Sequence, residues 1–138
     1  MERPAVTAAD LTRRIADRAA RVGIIGQGYV GLPLAVEFAR VGFAVTGFDT
    51  SVDRVTNLNA GRSHTPDVPD DVLRARIEVG RYEATTNLAG LAQCDAVIIC
   101  VPTPLRKSKD PDISFVAAAA QEAAARFRPA QLDRKSVV

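Results

Sequence analysis

Residues 21–35, Arg-Val-Gly-Ile-Ile-Gly-Gln-Gly-Tyr-Val-Gly-Leu-Pro-Leu-Ala, restrict the folds open to this chain more than any other stretch. The apolar run Val22 to Ile25 reads as a buried parallel strand. Three glycines follow at Gly26, Gly28 and Gly31, and an amphipathic helical pattern begins almost at once. In a turn that binds a dinucleotide each glycine has a separate role. Gly26 permits the tight turn off the strand, Gly28 leaves no side chain between backbone and diphosphate, and Gly31 lets the helix pack close to the sheet. The first N–H groups of that helix, at Tyr29 and Val30, then face the diphosphate with the positive end of the helix dipole behind them. A bare GxGxxG is a weak signal, because glycine-rich turns are common in loops. Here a strand precedes it, a helix follows it, and an acid ends the next strand.

A chain of 138 residues makes one domain with room for a real core. Its 47% hydrophobic and 25% charged residues fit a globular protein and argue against disorder. A net charge of +2 gives no basis for a nucleic-acid surface. Cys94 and Cys100, the two cysteines, form no ligand cluster and flank an apolar strand, where buried inert thiols are expected. No segment approaches a membrane span and the N-terminus lacks a signal-peptide core, so a soluble cytoplasmic protein is the simplest reading.

The spacing predicts a helix over 7–20, with Thr7 and Asp10 at capping-box separation and an apolar stripe of Leu11, Ile15 and Ala19. This helix precedes the first strand, so it packs outside the core unit. The helix after the glycine turn runs from Tyr29 to about Arg40, with Pro33 in its first turn and Gly42 beyond its end. Residues 43–48 form a second strand, and Asp49 stands at its carboxyl end, eighteen residues past Gly31. That is near the offset at which a carboxylate accepts from an adenosine ribose, and its charge repels a 2′-phosphate, which selects NAD over NADP. The alternative is a strand-end acid capping the next helix, which Ser51 can do instead. A helix over 51–60 carries Arg54, which either leans over the adenosine end or stays solvated. His64, the one histidine, lies in a loop without carboxylate or cysteine partners and reads as exposed and idle.

A helix over 70–77, a third strand over 82–85 and a small helix from Asn87 to Leu91 follow. The strongest buried strand, Ala96 to Val101, stops at Pro102-Thr103-Pro104, where two prolines force the chain out as a loop. In a sheet of order 3-2-1-4 the carboxyl ends of strands one and four border the ligand crevice, which favours Thr103 beside the dinucleotide over a loop threonine bonded to its own backbone. Asp112 caps a last helix over 113–127, and a fifth strand is expected to begin near Leu132.

Gly26-Gln-Gly-Tyr-Val-Gly-Leu-Pro-Leu-Ala35, Phe48-Asp49, Leu58-Asn-Ala-Gly61, Cys100-Val-Pro-Thr-Pro-Leu105 and Pro111-Asp-Ile-Ser114 together resemble the NAD-binding domain of the UDP-glucose/GDP-mannose dehydrogenase family. The Tyr-Val-Gly-Leu-Pro and Val-Pro-Thr-Pro-Leu details are most similar to the branch that oxidises UDP-N-acetylglucosamine or UDP-N-acetylmannosamine. The resemblance implies a twofold, NAD-dependent oxidation of the sugar C6 alcohol to a carboxylate. It also implies a thiohemiacetal on a cysteine of a later domain and a homo-oligomer when full-length. Tyr29, Val30, Asp49, Arg54 and Thr103 match the family's NAD contacts, and the resemblance favours the ligand role for Arg54. Nothing in it implies a metal, a nucleic acid or a membrane.

The departures bear on activity. The family's Glu-Ser-Thr motif on the fifth strand, its dimerising helix, its sugar-binding domain and that domain's cysteine have no counterpart here, and Cys94 and Cys100 precede all of them. Ser63-His-Thr-Pro66 also departs from the family's usual Ser-x-Ile. The last six residues, 133–138, read as an in-frame translation of a sequencing adapter and do not continue the strand. The expectation is therefore an N-terminal helix over 1–20, a partial NAD-binding domain over 21–132 and an artefactual tail. The fold expected is α/β, a Rossmann-type doubly wound parallel sheet of order 3-2-1-4 with later strands missing. An unpaired fourth strand would make such a fragment aggregation-prone, weak in NAD binding and inactive. The alternatives are another Rossmann dehydrogenase, of hydroxyacid type, and a dinucleotide-binding module without catalysis.

Overall fold

A computed structural model describes residues 7–101, 114–125 and 132–135. Helix α1 (Ala8–Ala16) starts from the expected capping box: Thr7 Oγ1 accepts from the Asp10 N–H at 3.1 Å, and Asp10 Oδ2 accepts from the Thr7 N–H at 3.4 Å. It ends before the predicted limit of residue 20. Arg18 turns the chain back with φ 58°, and none of the helix is buried. Ile15 is 40% exposed, so the apolar stripe makes no core.

Strand β1 (Arg21–Ile25) leads into α2 (Gly31–Arg40), then β2 (Ala44–Phe48), α3 (Val52–Asn59), α4 (Asp70–Glu78) and β3 (Tyr82–Thr85). A 3-10 turn (Leu88–Gln93), β4 (Ala96–Ile99), α5 (Ser114–Ala124) and β5 (Leu132–Lys135) complete the described elements. All five strands pair parallel in the order β3-β2-β1-β4-β5. The doubly wound 3-2-1-4 arrangement is the one expected.

The fifth strand begins at Leu132, as expected, but it does not break off there. Residues 133–135 continue the strand that starts at Leu132, and Val97, Ile98 and Ile99 face Asp133, Arg134 and Lys135 in register. The β4 edge is therefore paired and α5 returns to a strand, so the ground for expecting an aggregating edge at β4 falls away.

Two cores lie on the two faces of the sheet. On one, Val22, Ile24, Val45, Tyr82 and Ala84 pack against Leu32, Ala35 and Val36 of α2, Leu58 of α3 and Leu73 of α4. On the other, Ile25, Phe48, Val97 and Ile99 pack with Leu91 and Ala123. Cys94 is buried over Gly23, where a Cβ would stand 2.7 Å from its Sγ, and Cys100 is buried too. Burial of both cysteines is as expected.

Two polar side chains fasten the sheet's margins. Asn59 accepts from the Ala84 N–H and donates to its carbonyl, each at 2.9 Å, which covers backbone groups of β3. Asp95, fully buried, accepts from Arg14 Nη1 at 3.2 Å and from the Arg21 N–H at 2.9 Å, tying α1 to the start of β1. No described helix is long and apolar enough to cross a membrane.

Candidate functional site

The carboxyl ends of β1 and β2, the turn into α2 and the side of α5 enclose a cavity of about 680 Å³. Its position follows from parallel pairing: the strands end together, and the chain must leave each of them there. The three glycines differ in what surrounds them. Gly26 has φ +93°, and a Cβ on it would lie 2.3 Å from the Cys100 carbonyl oxygen. A Cβ on Gly31 would lie 1.7 Å from the Gly26 carbonyl oxygen, so the helix presses directly on the turn. A Cβ on Gly28 would meet nothing within 4 Å. Glycine at 26 and 31 is demanded by the protein itself, whereas at 28 the protein leaves space that a side chain would fill. That is the fit expected for a diphosphate laid against the backbone.

Val30 stands at the N-cap of α2 and supplies no side-chain cap. Among the described residues none accepts from the N–H of Tyr29 or Val30, which line the cavity. Orphan donors at a helix mouth are suited to an anion. Tyr29 itself is 74% exposed at the cavity's rim.

Asp49 sits where β2 ends. Its Oδ2 accepts from the Gln27 N–H and its Oδ1 from the Ser51 N–H, both at 3.0 Å. Capping of α3 falls to Ser51, whose Oγ accepts from the Arg54 N–H at 3.2 Å. Arg54 is neither purely solvated nor remote: its Nη1 lies 3.5 Å from Asp49 Oδ2 and it lines the cavity. The side chain of Asp49 is 8% exposed and that of Arg54 41%, so the carboxylate is the fixed member of the pair.

Gly26, Gly28, Tyr29, Val30, Asp49 and Arg54 thus line one cavity, with Gly31 directly beneath it. Thr103, also expected there, lies outside the described residues, as do the Pro102–Pro104 loop and Asp112.

Three residues gain a place that sequence reasoning did not give them. His64 is exposed but not isolated: its ring meets that of Tyr29 edge-on, centroids 6.4 Å apart and planes at 72°. Desolvation first and then the Arg54 charge hold its pKa below the ordinary value of 6.5, against Asp49 and hydrogen bonding to the backbone of Gly28 and Gln27. Nothing in the loop sequence signals that it folds back onto the glycine turn. Gln27 and Tyr82 form a buried pair under the turn, 55 residues apart in the chain. Among the described residues no cluster of His, Cys, Asp and Glu could hold a metal ion.

Comparison with known proteins agrees with this geometry. Residues 20–136 match the model of the UDP-glucose/GDP-mannose dehydrogenase family, NAD binding domain. The UDP-N-acetyl-D-mannosamine dehydrogenase of Pyrococcus horikoshii is 35% identical over 98 residues, 70% of this chain and 23% of that protein. The UDP-N-acetyl-D-glucosamine 6-dehydrogenase of Pseudomonas aeruginosa is 39% identical over 94 residues, 68% of this chain and 21% of that protein. A solved structure of the UDP-D-ManNAc dehydrogenase from Pyrococcus horikoshii superposes with a TM-score of 0.79 at 31% identity, covering 85% of this chain and 28% of that one. A ternary complex of GDP-mannose dehydrogenase from Pseudomonas aeruginosa gives 0.72 at 28% identity, covering 77% and 25%. The chain spans less than a quarter of the length of these two sequence relatives.

Proposed function

Since the chain belongs to the UDP-glucose/GDP-mannose dehydrogenase family as its NAD-binding domain, we propose that it serves a nucleotide-sugar 6-dehydrogenase that oxidises UDP-N-acetylglucosamine or UDP-N-acetylmannosamine. The observation that carries the reading is the bond from the Gln27 N–H to Asp49 Oδ2, which sets a carboxylate beside the glycine turn, the pairing that a ribose next to a diphosphate requires. Relatives named for both sugars support the substrate class.

In this reading the unit over 21–132 holds NAD, with the helix of 1–20 outside it. Gly26 and Gly31 shape the turn, Gly28 leaves the backbone bare, and the Tyr29 and Val30 N–H groups bind the diphosphate. Asp49 accepts from the ribose diol and excludes a 2′-phosphate, with Arg54 above it and Thr103 as a further contact. Bound NAD supplies the hydride acceptor for the sugar C6. The ionisable groups among the described lining residues are Tyr29, Asp49, Arg54 and Cys100, and Asp49 and Arg54 pair with each other. In this reading the 138 residues by themselves bind NAD and oxidise no sugar. Cytoplasmic location and a homo-oligomeric full-length enzyme complete the proposal.

The test is the activity of the product of the full-length gene, set beside that of the 138-residue chain. Two NADH formed per UDP-N-acetylhexosamine, with no turnover by the 138-residue chain, is the expected result. A product that reduces NAD with a hydroxyacid and not with either nucleotide sugar refutes it.

A further inference from the structure

The dinucleotide turn is held from beneath by a side chain that its motif leaves unspecified. Gln27, between Gly26 and Gly28, is fully buried. Its Nε2 donates to the carbonyls of Ile24 and Gly26, each at 3.1 Å. Its Oε1 accepts from the Tyr82 hydroxyl at 2.8 Å, and its own N–H is the one that reaches Asp49. Space for the amide exists because residue 47 is glycine: a Cβ there would stand 2.4 Å from Oε1. One residue therefore joins the end of β1, the glycine turn, the acid after β2 and the edge strand β3. Its amide is out of reach of solvent, so a lost partner leaves a buried group unsatisfied. Burial, and after it the Asp49 charge, raise the Tyr82 pKa, which keeps the hydroxyl a donor across the working range.

We propose that Gln27, braced by Tyr82 across the space left by Gly47, is the positioning residue of the cofactor site: its buried side chain, from beneath the turn, fixes the distance between the diphosphate turn and the ribose carboxylate. The inference rests on NAD occupying this cavity and is independent of which sugar is oxidised. A site of two subsites binds tightly only when both are aligned at once, so the brace acts on ligands that span them.

Tyr82→Phe keeps the ring that fills the core and removes only the donor to Oε1. Calorimetry on the 138-residue chain should show NAD and ADP-ribose both bound about tenfold more weakly. Adenosine, which occupies one subsite, should bind as before. Leu73→Val, a loosening of the same core from α4, should lower the melting temperature and leave NAD affinity alone. If Tyr82→Phe does not fold, Gly47→Ala displaces Gln27 from the opposite side and takes the same three ligands, with the same expected pattern. Unchanged NAD affinity overturns the proposal, as does an equal loss for adenosine or an equal loss in Leu73→Val. An unmodified chain that takes up no NAD overturns it as well, and does so at the level of the cavity rather than of the brace.

Discussion

Gly28 and Gly31 belong to one motif but answer to different forces, and mutation separates them. Space is open at 28, so Gly28→Ala should leave the unfolding midpoint in urea unchanged. NAD affinity should nevertheless fall at least about tenfold, because the new methyl stands where the diphosphate must approach. Gly31→Ala drives a Cβ into the Gly26 carbonyl, and unfolding should show a loss of about 1–3 kcal/mol before any ligand is added. His64 offers a second test, and as the single histidine its imidazole resonances are unambiguous in a pH titration. In the free protein it should titrate below 6.5. An anionic diphosphate close by should raise that value. Binding then takes up a proton between the free and bound pKa values, so NAD affinity should rise as pH falls through that interval and His64→Gln should flatten the profile. An unaltered His64 titration on saturation with NAD would separate this residue from the site.

Elements are fastened at their ends by polar side chains, and the buried Asp95 shows how much one of them carries. Asp95→Ala leaves the Arg21 N–H without its carboxylate acceptor and releases Arg14 of α1. Urea unfolding should report a loss of about 1–3 kcal/mol, most of it from the stranded donor. Arg14, a third exposed, keeps its charge in contact with water once the buried carboxylate is gone, so its part of the loss is the smaller one. The outermost strand gives a second prediction at this scale. Removing residues 132–138 strips β4 of its partner along Ala96–Ile99, and light scattering at equal concentration should rise relative to the whole chain.

At the scale of the molecule, the family sets the cofactor and the extent of the chain sets what can be asked of it. NAD bound only to the folded state must shift unfolding, by about 2.7 kcal/mol at a hundredfold excess over its dissociation constant. NADP at equal concentration should stabilise less, because Asp49 is held rigidly by two backbone N–H groups and cannot turn away from a 2′-phosphate. Equal thermal stabilisation by the two would remove Asp49 from the specificity role.

Local chemistry was sufficient for the helix and strand pattern, the capping box at Thr7, the cap at Ser51, the strand order and the cluster of Gly26, Gly28, Gly31 and Asp49. Each of these depends on neighbours in sequence or on the fixed handedness of parallel crossovers. Tertiary structure alone decided that Arg54 pairs with Asp49, that His64 returns to Tyr29, and that Gln27 and Tyr82 meet beneath the turn. It also decided that the charged stretch after Leu132 pairs with β4. Apart from Arg54 and Asp49, which only a turn separates, these are contacts between residues far apart in the chain, and periodicity along one segment carries no information about what another segment will bury against it.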